Sequence, residues 1–154
     1  KKELLDRVLV EVYPQKENDE NHAQELFTEI NKAEPIKLVD MPGVAKVGDR
    51  RLLNEAAEKL NDKFPDMFSP SQKCRSPHLN IDNLRDALFA ANVLQRHSFK
   101  SPKALEEWMH AQNEALAKKY ETDETARQSV PKAALAKATK FGFYLGLEAS
   151  WYYN

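Results

Sequence analysis

The sequence predicts an α+β fold that is predominantly helical, with four or five helices and a small sheet. Two observations carry this prediction: one segment near the start alternates like a strand, and several later segments repeat apolar residues at helical spacing. The chain has 154 residues, of which 42% are hydrophobic, so it is long enough to bury a core of its own.

The first 40 residues contain the one clear strand. Residues 7–13, Arg-Val-Leu-Val-Glu-Val-Tyr, place apolar side chains on both faces, which is typical of a strand buried on much of both faces. An amphipathic helix follows from Asp19 and is expected to end near Glu34, because Pro35 disfavours a helical conformation in the residue before it. The short apolar stretch 36–39 is expected to be extended.

The middle of the chain predicts three amphipathic helices. The first opens at Gly48 and runs to Phe64, the second is capped by Asn80, and the third begins at Ser101-Pro102, where an N-cap serine precedes a first-turn proline. Three prolines between residues 65 and 77 predict a loop that includes an extended piece.

The last third predicts one short helix and an ordered tail. Residues 121–129 are polar and weakly patterned, so they are expected to form a loop, and the Ala-rich residues 132–140 predict a short helix. The last 14 residues hold six of the 14 aromatic residues, so we expect this tail to dock on the body of the protein.

A lone strand needs partners to satisfy its backbone hydrogen bonds. Two sources are open: segments at Leu38, in the 70s and at 143–147, or strands upstream of residue 1 in a longer parent. The absence of an initiator Met favours the second source. We therefore expect residues 1–40 to be the end of an α/β unit, and residues 41–154 to be a helical accessory region with a docked aromatic tail, both in one compact unit.

The overall composition excludes several classes of protein. The chain carries 23 Lys plus Arg against 24 Asp plus Glu, too balanced for a wholly basic nucleic-acid binder, and it has no apolar run long enough for a membrane helix. The single Cys74 excludes an internal disulfide and a multi-cysteine zinc site. We expect a soluble intracellular protein, cytoplasmic or nuclear, without a membrane partner.

The charge is unevenly distributed along the chain. Residues 1–34 contain five basic and nine acidic groups, whereas residues 71–103 contain six basic and two acidic groups. A basic loop that leads into a helix N-terminus is able to hold phosphate through side chains and free backbone donors. The candidate phosphate contacts are Lys73, Arg75, His78 and Arg85; a solvated basic surface without a ligand is the open alternative.

No catalytic residue, metal site or cofactor site is predicted. Cys74 and His78 lie four residues apart, but a zinc site needs about four ligands and the other histidines are not spaced to supply them. A structural cysteine is the favoured interpretation over a thiol nucleophile. The paired carboxylates lie on predicted helix starts and polar faces, and the sequence contains no Gly-rich phosphate loop or nucleophile elbow.

The aromatic tail supports a competing hypothesis. Its rings lack the interleaved basic residues that base-stacking surfaces normally carry, so core packing or docking against a partner is favoured. The second hypothesis is therefore a protein-interaction or assembly module, binding another copy of the chain or a protein partner through Trp151, Tyr152 and Tyr153.

The order of elements near the start resembles a known family. The strand from Val8 to Tyr13 is followed by a helix that ends in the pattern Phe-x-x-Ile-Asn-x-x-x-Pro, represented by Phe27, Ile30, Asn31 and Pro35. This arrangement resembles the second half of ParB/sulfiredoxin-like domains of the DGQHR type, over about 35 residues. The residues beyond it look like an accessory helical region of such proteins.

The resemblance implies a DNA-associated parent protein. The family's signature Asp-Gly-Gln-His-Arg, which carries its nucleotide or phosphate chemistry, is not in this chain, so the resemblance brings no catalytic residue with it. The leading hypothesis is a noncatalytic part of a ParB-like protein that contacts nucleic-acid phosphate through the basic loop and helix.

Overall fold

The computed structural model describes residues 37–154, apart from Pro42. The chain divides into two compact units, Lys1–Ile36 and Lys37–Asn154, and only the second lies within the described residues. The predicted strand at 7–13, the helix from Asp19 to Glu34 and the family resemblance all lie outside them, and so they remain predictions.

The described part of the chain is built of α-helices joined by short turns. Its six α-helices are α1 (Val47–Lys63), α2 (Ile81–Ala90), α3 (Val93–Arg96), α4 (Pro102–Thr122), α5 (Glu124–Gln128) and α6 (Lys132–Phe141). Single 3-10 turns occupy Leu38–Asp40, Pro65–Met67 and Ser150–Tyr153. None of the helices described is long and apolar enough to cross a membrane.

The predicted small sheet is not found between residues 37 and 154. Leu38–Asp40 form a 3-10 turn rather than an extended piece, and residues 143–147 are irregular, with a turn at 145–147, rather than a strand. Extended pairing in this part is limited to one isolated parallel bridge between Phe68 and Leu79. The apolar pattern at 143–147 arises because the segment packs directly into the helical core, where Phe143 and Leu145 are almost fully buried.

The predicted helix starts at Asn80 and Ser101 are confirmed. The Asn80 side chain accepts a hydrogen bond from the backbone N–H of Asn83 at 3.0 Å, and the Ser101 hydroxyl accepts one from the N–H of Ala104 at 3.2 Å. Residues 121–129 were expected to form only a loop, but they contain α5, whose first turn is capped by the Asp123 carboxylate. An N-cap aspartate was the available signal for this helix.

Helix α1 lies at the centre of the core and packs against both α2 and α4. Its buried face is the one that the sequence pattern predicts: Leu52, Leu53, Ala56, Ala57 and Leu60. From α4, the buried amide of Asn113 donates to the carbonyl of Gly142 at 2.9 Å and accepts from the N–H of Tyr144 at 2.7 Å. This side chain ties the segment after α6 to α4.

The segment that follows α6 also makes a close backbone contact with the loop 69–79. A Cβ atom added to Gly146 would lie 1.9 Å from the carbonyl oxygen of Pro77, so only glycine fits there. The Ser76 hydroxyl donates to the carbonyl of Gly146 at 2.9 Å. Buried Asn80 holds the other side of the loop by donating to the carbonyls of Ser69 and Pro70, each at 3.1 Å.

Gly146→Ala is expected to lower the free energy of unfolding by about 1–3 kcal/mol, because the new methyl group must push a backbone carbonyl away. Urea unfolding followed by circular dichroism measures the effect. The matched control is Gly48→Ala in α1, where an added Cβ meets nothing within 4 Å and helix propensity raises stability by up to about 1 kcal/mol. Equal stability of wild type and Gly146→Ala would show that the close contact is absent.

Candidate functional site

The structure brings together two segments that contain no acidic residue. The loop 69–79 carries Lys73 and Arg75, and residues 129–147 carry Lys132, Lys137 and Lys140; neither segment contains Asp or Glu. The segments meet where the Nζ atom of Lys137 on α6 lies 2.6 Å from Nε2 of His78. We call Lys73, Arg75, His78, Lys137 and Lys140 the basic surface.

The contacts of His78 assign its ring. Its Nδ1 lies 3.1 Å from the carbonyl oxygen of Arg75, and the Lys137 ammonium can only donate, so Nδ1 carries the hydrogen and Nε2 accepts. The ring is therefore neutral in this arrangement. Cys74 contacts the same residue differently, since its thiol donates to the backbone carbonyl of His78 at 3.3 Å. Cys74 and the His78 ring do not form a thiol–imidazole pair.

An aromatic ring lies beside the lysines of the basic surface. The Nζ atoms of Lys137 and Lys140 lie 5.8 and 5.2 Å from the ring centroid of Phe141, which is partly buried at the end of α6. Cations at this distance interact favourably with the ring. Phe141 therefore interacts favourably with both ammonium groups.

Of the four predicted phosphate contacts, three belong to the basic surface and one has other partners. Lys73 and Arg75 are exposed and His78 is half-buried. The Arg85 guanidinium, in contrast, pairs with the carboxylates of Asp40 and Asp82, and its side chain is only 13% exposed. The charge of Arg85 is neutralised within the fold, where it holds the turn at residues 38–40 against α2.

Two other cations of the predicted basic segment 71–103, Arg96 and Lys103, make contacts within the fold. Arg96 donates to the carbonyls of Tyr152 and Tyr153 at 3.2 and 2.5 Å, and so holds the chain end in place. Lys103 pairs with Glu107 at 3.7 Å. Lys100 lines an open cleft of about 300 Å³ beside the start of α1, a cleft that Asp49 also lines.

The tail docks on the body as the sequence predicts. Trp151 is fully buried, its ring lies 5.6 Å from that of Trp108, and its indole N–H donates to the carbonyl of Leu145 at 3.0 Å. Tyr152 is 8% exposed, whereas Tyr153 is 67% exposed. Of the three residues in the competing hypothesis, only Tyr153 is presented on the surface.

Two groups with shifted pKa values, Tyr120 and Glu148, interact with each other inside the fold. Burial raises the pKa of Tyr120 to about 12, helped by the adjacent Glu148 carboxylate. Although burial opposes it, hydrogen bonds from Lys119 and Ser150 hold the pKa of Glu148 below its ordinary value. These contacts connect Lys119 and Tyr120 of α4 to Glu148 in the segment that follows α6. In the part of the chain described, no group of three His, Cys, Asp or Glu residues is arranged to hold a metal ion.

Sequence reasoning missed Lys137, Lys140 and Phe141. Taken alone, α6 is a short Ala-rich helix with scattered lysines, and lysine on a helix surface is ordinarily only solvated. The available signal was the lack of any Asp or Glu between residues 129 and 147. The lack of acidic residues indicates a basic surface only when the fold places residues 129–147 against the loop 69–79.

Comparison of the sequence with models of protein families, and of the chain with curated proteins and solved structures, finds no match.

His110 on α4 lies in a partly buried cluster next to α1. Its Nε2 atom is 3.3 Å from the Lys63 ammonium and 3.8 Å from the Glu106 carboxylate. Burial lowers the pKa of His110 below 6.5, and Lys63 lowers it further, while Glu106 and Glu114 raise it by less. The folded state therefore binds a proton here less readily than the unfolded state.

The stability contributed by neutral His110 is fully present above pH 6.5 and is lost as the pH falls through its lower folded-state pKa. We expect the free energy of unfolding to decrease from about pH 7.5 to about pH 5, and to decrease less steeply in His110→Gln. Urea titrations across this range measure both slopes. Equal slopes for the two proteins would contradict this assignment.

Proposed function

We propose that this chain contacts nucleic-acid phosphates through the basic surface, as a noncatalytic part of a DNA-associated protein that resembles the ParB-like family. The contacts are made by Lys73, Arg75 and His78 from the loop and by Lys137 and Lys140 from α6. They position the nucleic acid by its backbone and do not read base edges.

The observation that carries this proposal is the contact between two segments without acidic residues. Arg85 and Lys119, in contrast, are paired with carboxylates. Lys73 and Arg75 are exposed, and their side chains make no hydrogen bond or ion pair within the described residues. Exposed cations with no carboxylate beside them attract a polyanion, because binding releases the counterions condensed on it.

The competing hypothesis of an assembly module has less support. Trp151 and Tyr152 are buried within the same chain, so a partner would meet Tyr153 without the two neighbouring rings. Residues that dominate interfaces are usually large side chains that fill a partner's pocket. A single exposed tyrosine does not favour this function over phosphate contact.

The proposal is tested by neutralising the two exposed loop cations together. Lys73→Gln with Arg75→Gln is expected to weaken binding to a 20-base-pair duplex, and to reduce the slope of log affinity against log salt by about two, since each phosphate contact contributes about one. Fluorescence anisotropy at several salt concentrations gives both quantities.

The matched control is Lys100→Gln with Lys103→Gln, which removes the same charge from cations that lie beside α1 or pair with Glu107. This variant is expected to keep the wild-type salt slope. A wild-type protein that does not bind the duplex, or a loop variant with an unchanged slope, would show that the proposed function is wrong.

A further inference from the structure

His78 is the titratable centre of the basic surface. Its Nε2 lone pair accepts from the Lys137 ammonium at 2.6 Å, and its Nδ1–H donates to the carbonyl of Arg75 at 3.1 Å. In this state the ring presents no hydrogen to an incoming phosphate oxygen. The Lys137 ammonium still has two further N–H donors, so a phosphate that approaches Lys137 meets an unprotonated ring nitrogen beside it.

Protonation of Nε2 would turn this hydrogen-bond acceptor into a donor that is able to bind a phosphate oxygen. The imidazolium and the ammonium would then face each other as two donors of like charge, and their direct hydrogen bond would be lost. A phosphate group placed between them accepts one hydrogen bond from each and neutralises the repulsion. The protonated ring is therefore favoured when the anion is present, and the neutral ring when it is absent.

We propose that His78 and Lys137 form a clamp for one backbone phosphate of the bound nucleic acid, and that His78 takes up one proton from solvent as the phosphate enters. This inference rests on the proposed function and assigns a specific role to two residues of the basic surface. Phosphate binding by the clamp and proton uptake by His78 are thermodynamically linked, so each must favour the other.

The contacts of His78 within the described residues include one charged group, the Lys137 ammonium, and no carboxylate. From its own loop, the ring contacts the backbone carbonyl of Arg75 through Nδ1, and the backbone carbonyl of His78 accepts from the Cys74 thiol. From α6 it meets Lys137, with Lys140 beside Phe141. The segment 142–147, which packs on the loop at Gly146, contains no carboxylate. Within the described residues, no carboxylate bonds to His78 or Lys137.

The first test measures affinity for an unphosphorylated 20-base-pair duplex at constant ionic strength between pH 8 and pH 6. Phosphodiesters and paired bases do not titrate in this range, so any linkage belongs to the protein. The wild-type affinity is expected to rise at least about fivefold as the pH falls, since uptake of one proton gives up to about tenfold for each pH unit. Fluorescence anisotropy in non-phosphate buffers gives the values.

The variants assign the effect to the clamp. His78→Gln places an amide near the Nε2 position but does not titrate, so its affinity is expected to change less than about twofold over the same range. Lys137→Met is expected to bind more weakly and to lose most of the pH dependence. The matched control Lys132→Met removes an exposed lysine from the same helix and is expected to keep the wild-type pH dependence.

Calorimetry tests the proton uptake without any variant. At pH 7, titration of wild-type protein with the duplex in MOPS and in Tris is expected to give binding enthalpies that differ according to the ionisation enthalpies of the buffers. The difference gives the number of protons taken up, which the clamp requires to be above zero and at most one. This measurement keeps the inference testable even if His78→Gln does not fold.

The failure of this inference is distinguishable from failure of the proposed function. If the wild type binds the duplex with a salt dependence that Lys73 and Arg75 control, but binding is independent of pH and takes up no proton, the clamp is wrong and the proposed function stands. If His78→Gln keeps the wild-type pH dependence, another histidine is responsible and the clamp is again wrong. If the wild type does not bind at any pH, both are wrong.

Discussion

The close backbone contact between Pro77 and Gly146 is the constraint on which the arrangement of the described residues depends. A side chain at residue 146 would begin 1.9 Å from the Pro77 carbonyl oxygen, so the two backbones meet with nothing between them. The loop 69–79 is thereby seated on the segment that follows α6. This contact places the loop so that His78 meets Lys137 of α6.

Buried amides hold both partners of this contact in place. Asn80 caps α2 and binds two loop carbonyls, while Asn113 binds the backbone on either side of Phe143. An amide that is nearly fully buried and hydrogen-bonded through both its oxygen and its nitrogen is specific, because any displacement leaves polar groups without partners in an apolar core. The basic surface is therefore carried by a rigid frame of side-chain-to-backbone hydrogen bonds, although its own side chains are exposed or half-buried.

The described helices were largely predictable, because their signals are local. Asn80 and Ser101-Pro102 mark helix starts by chemistry within four residues, and the apolar stripe of α1 follows directly from its periodicity. The alternative in which residues 143–147 supply a strand was wrong for a related reason. An apolar run shows that a segment is buried, but it does not distinguish a strand from an irregular segment packed into a helical core.

The candidate site was only partly predictable, because it depends on contacts distant in sequence. Lys73 and Arg75 stand out in a basic stretch, but the same stretch includes Arg85, whose charge is taken up by Asp40, 45 residues away. Lys137 gains its significance from His78, 59 residues away. The net charge of −1 concealed this arrangement, since it sums cations that are paired in the fold with cations that are not.

We propose that one surface, formed by the loop 69–79 together with α6, meets the nucleic acid. Lysine acetylation read by mass spectrometry, with and without saturating duplex DNA, tests whether this surface is the one that binds. We expect DNA to protect Lys73, Lys137 and Lys140 together and to leave Lys100 and Lys118 as reactive as in the free protein. Protection of Lys100 or Lys118 with unchanged reactivity of Lys137 and Lys140 would contradict it.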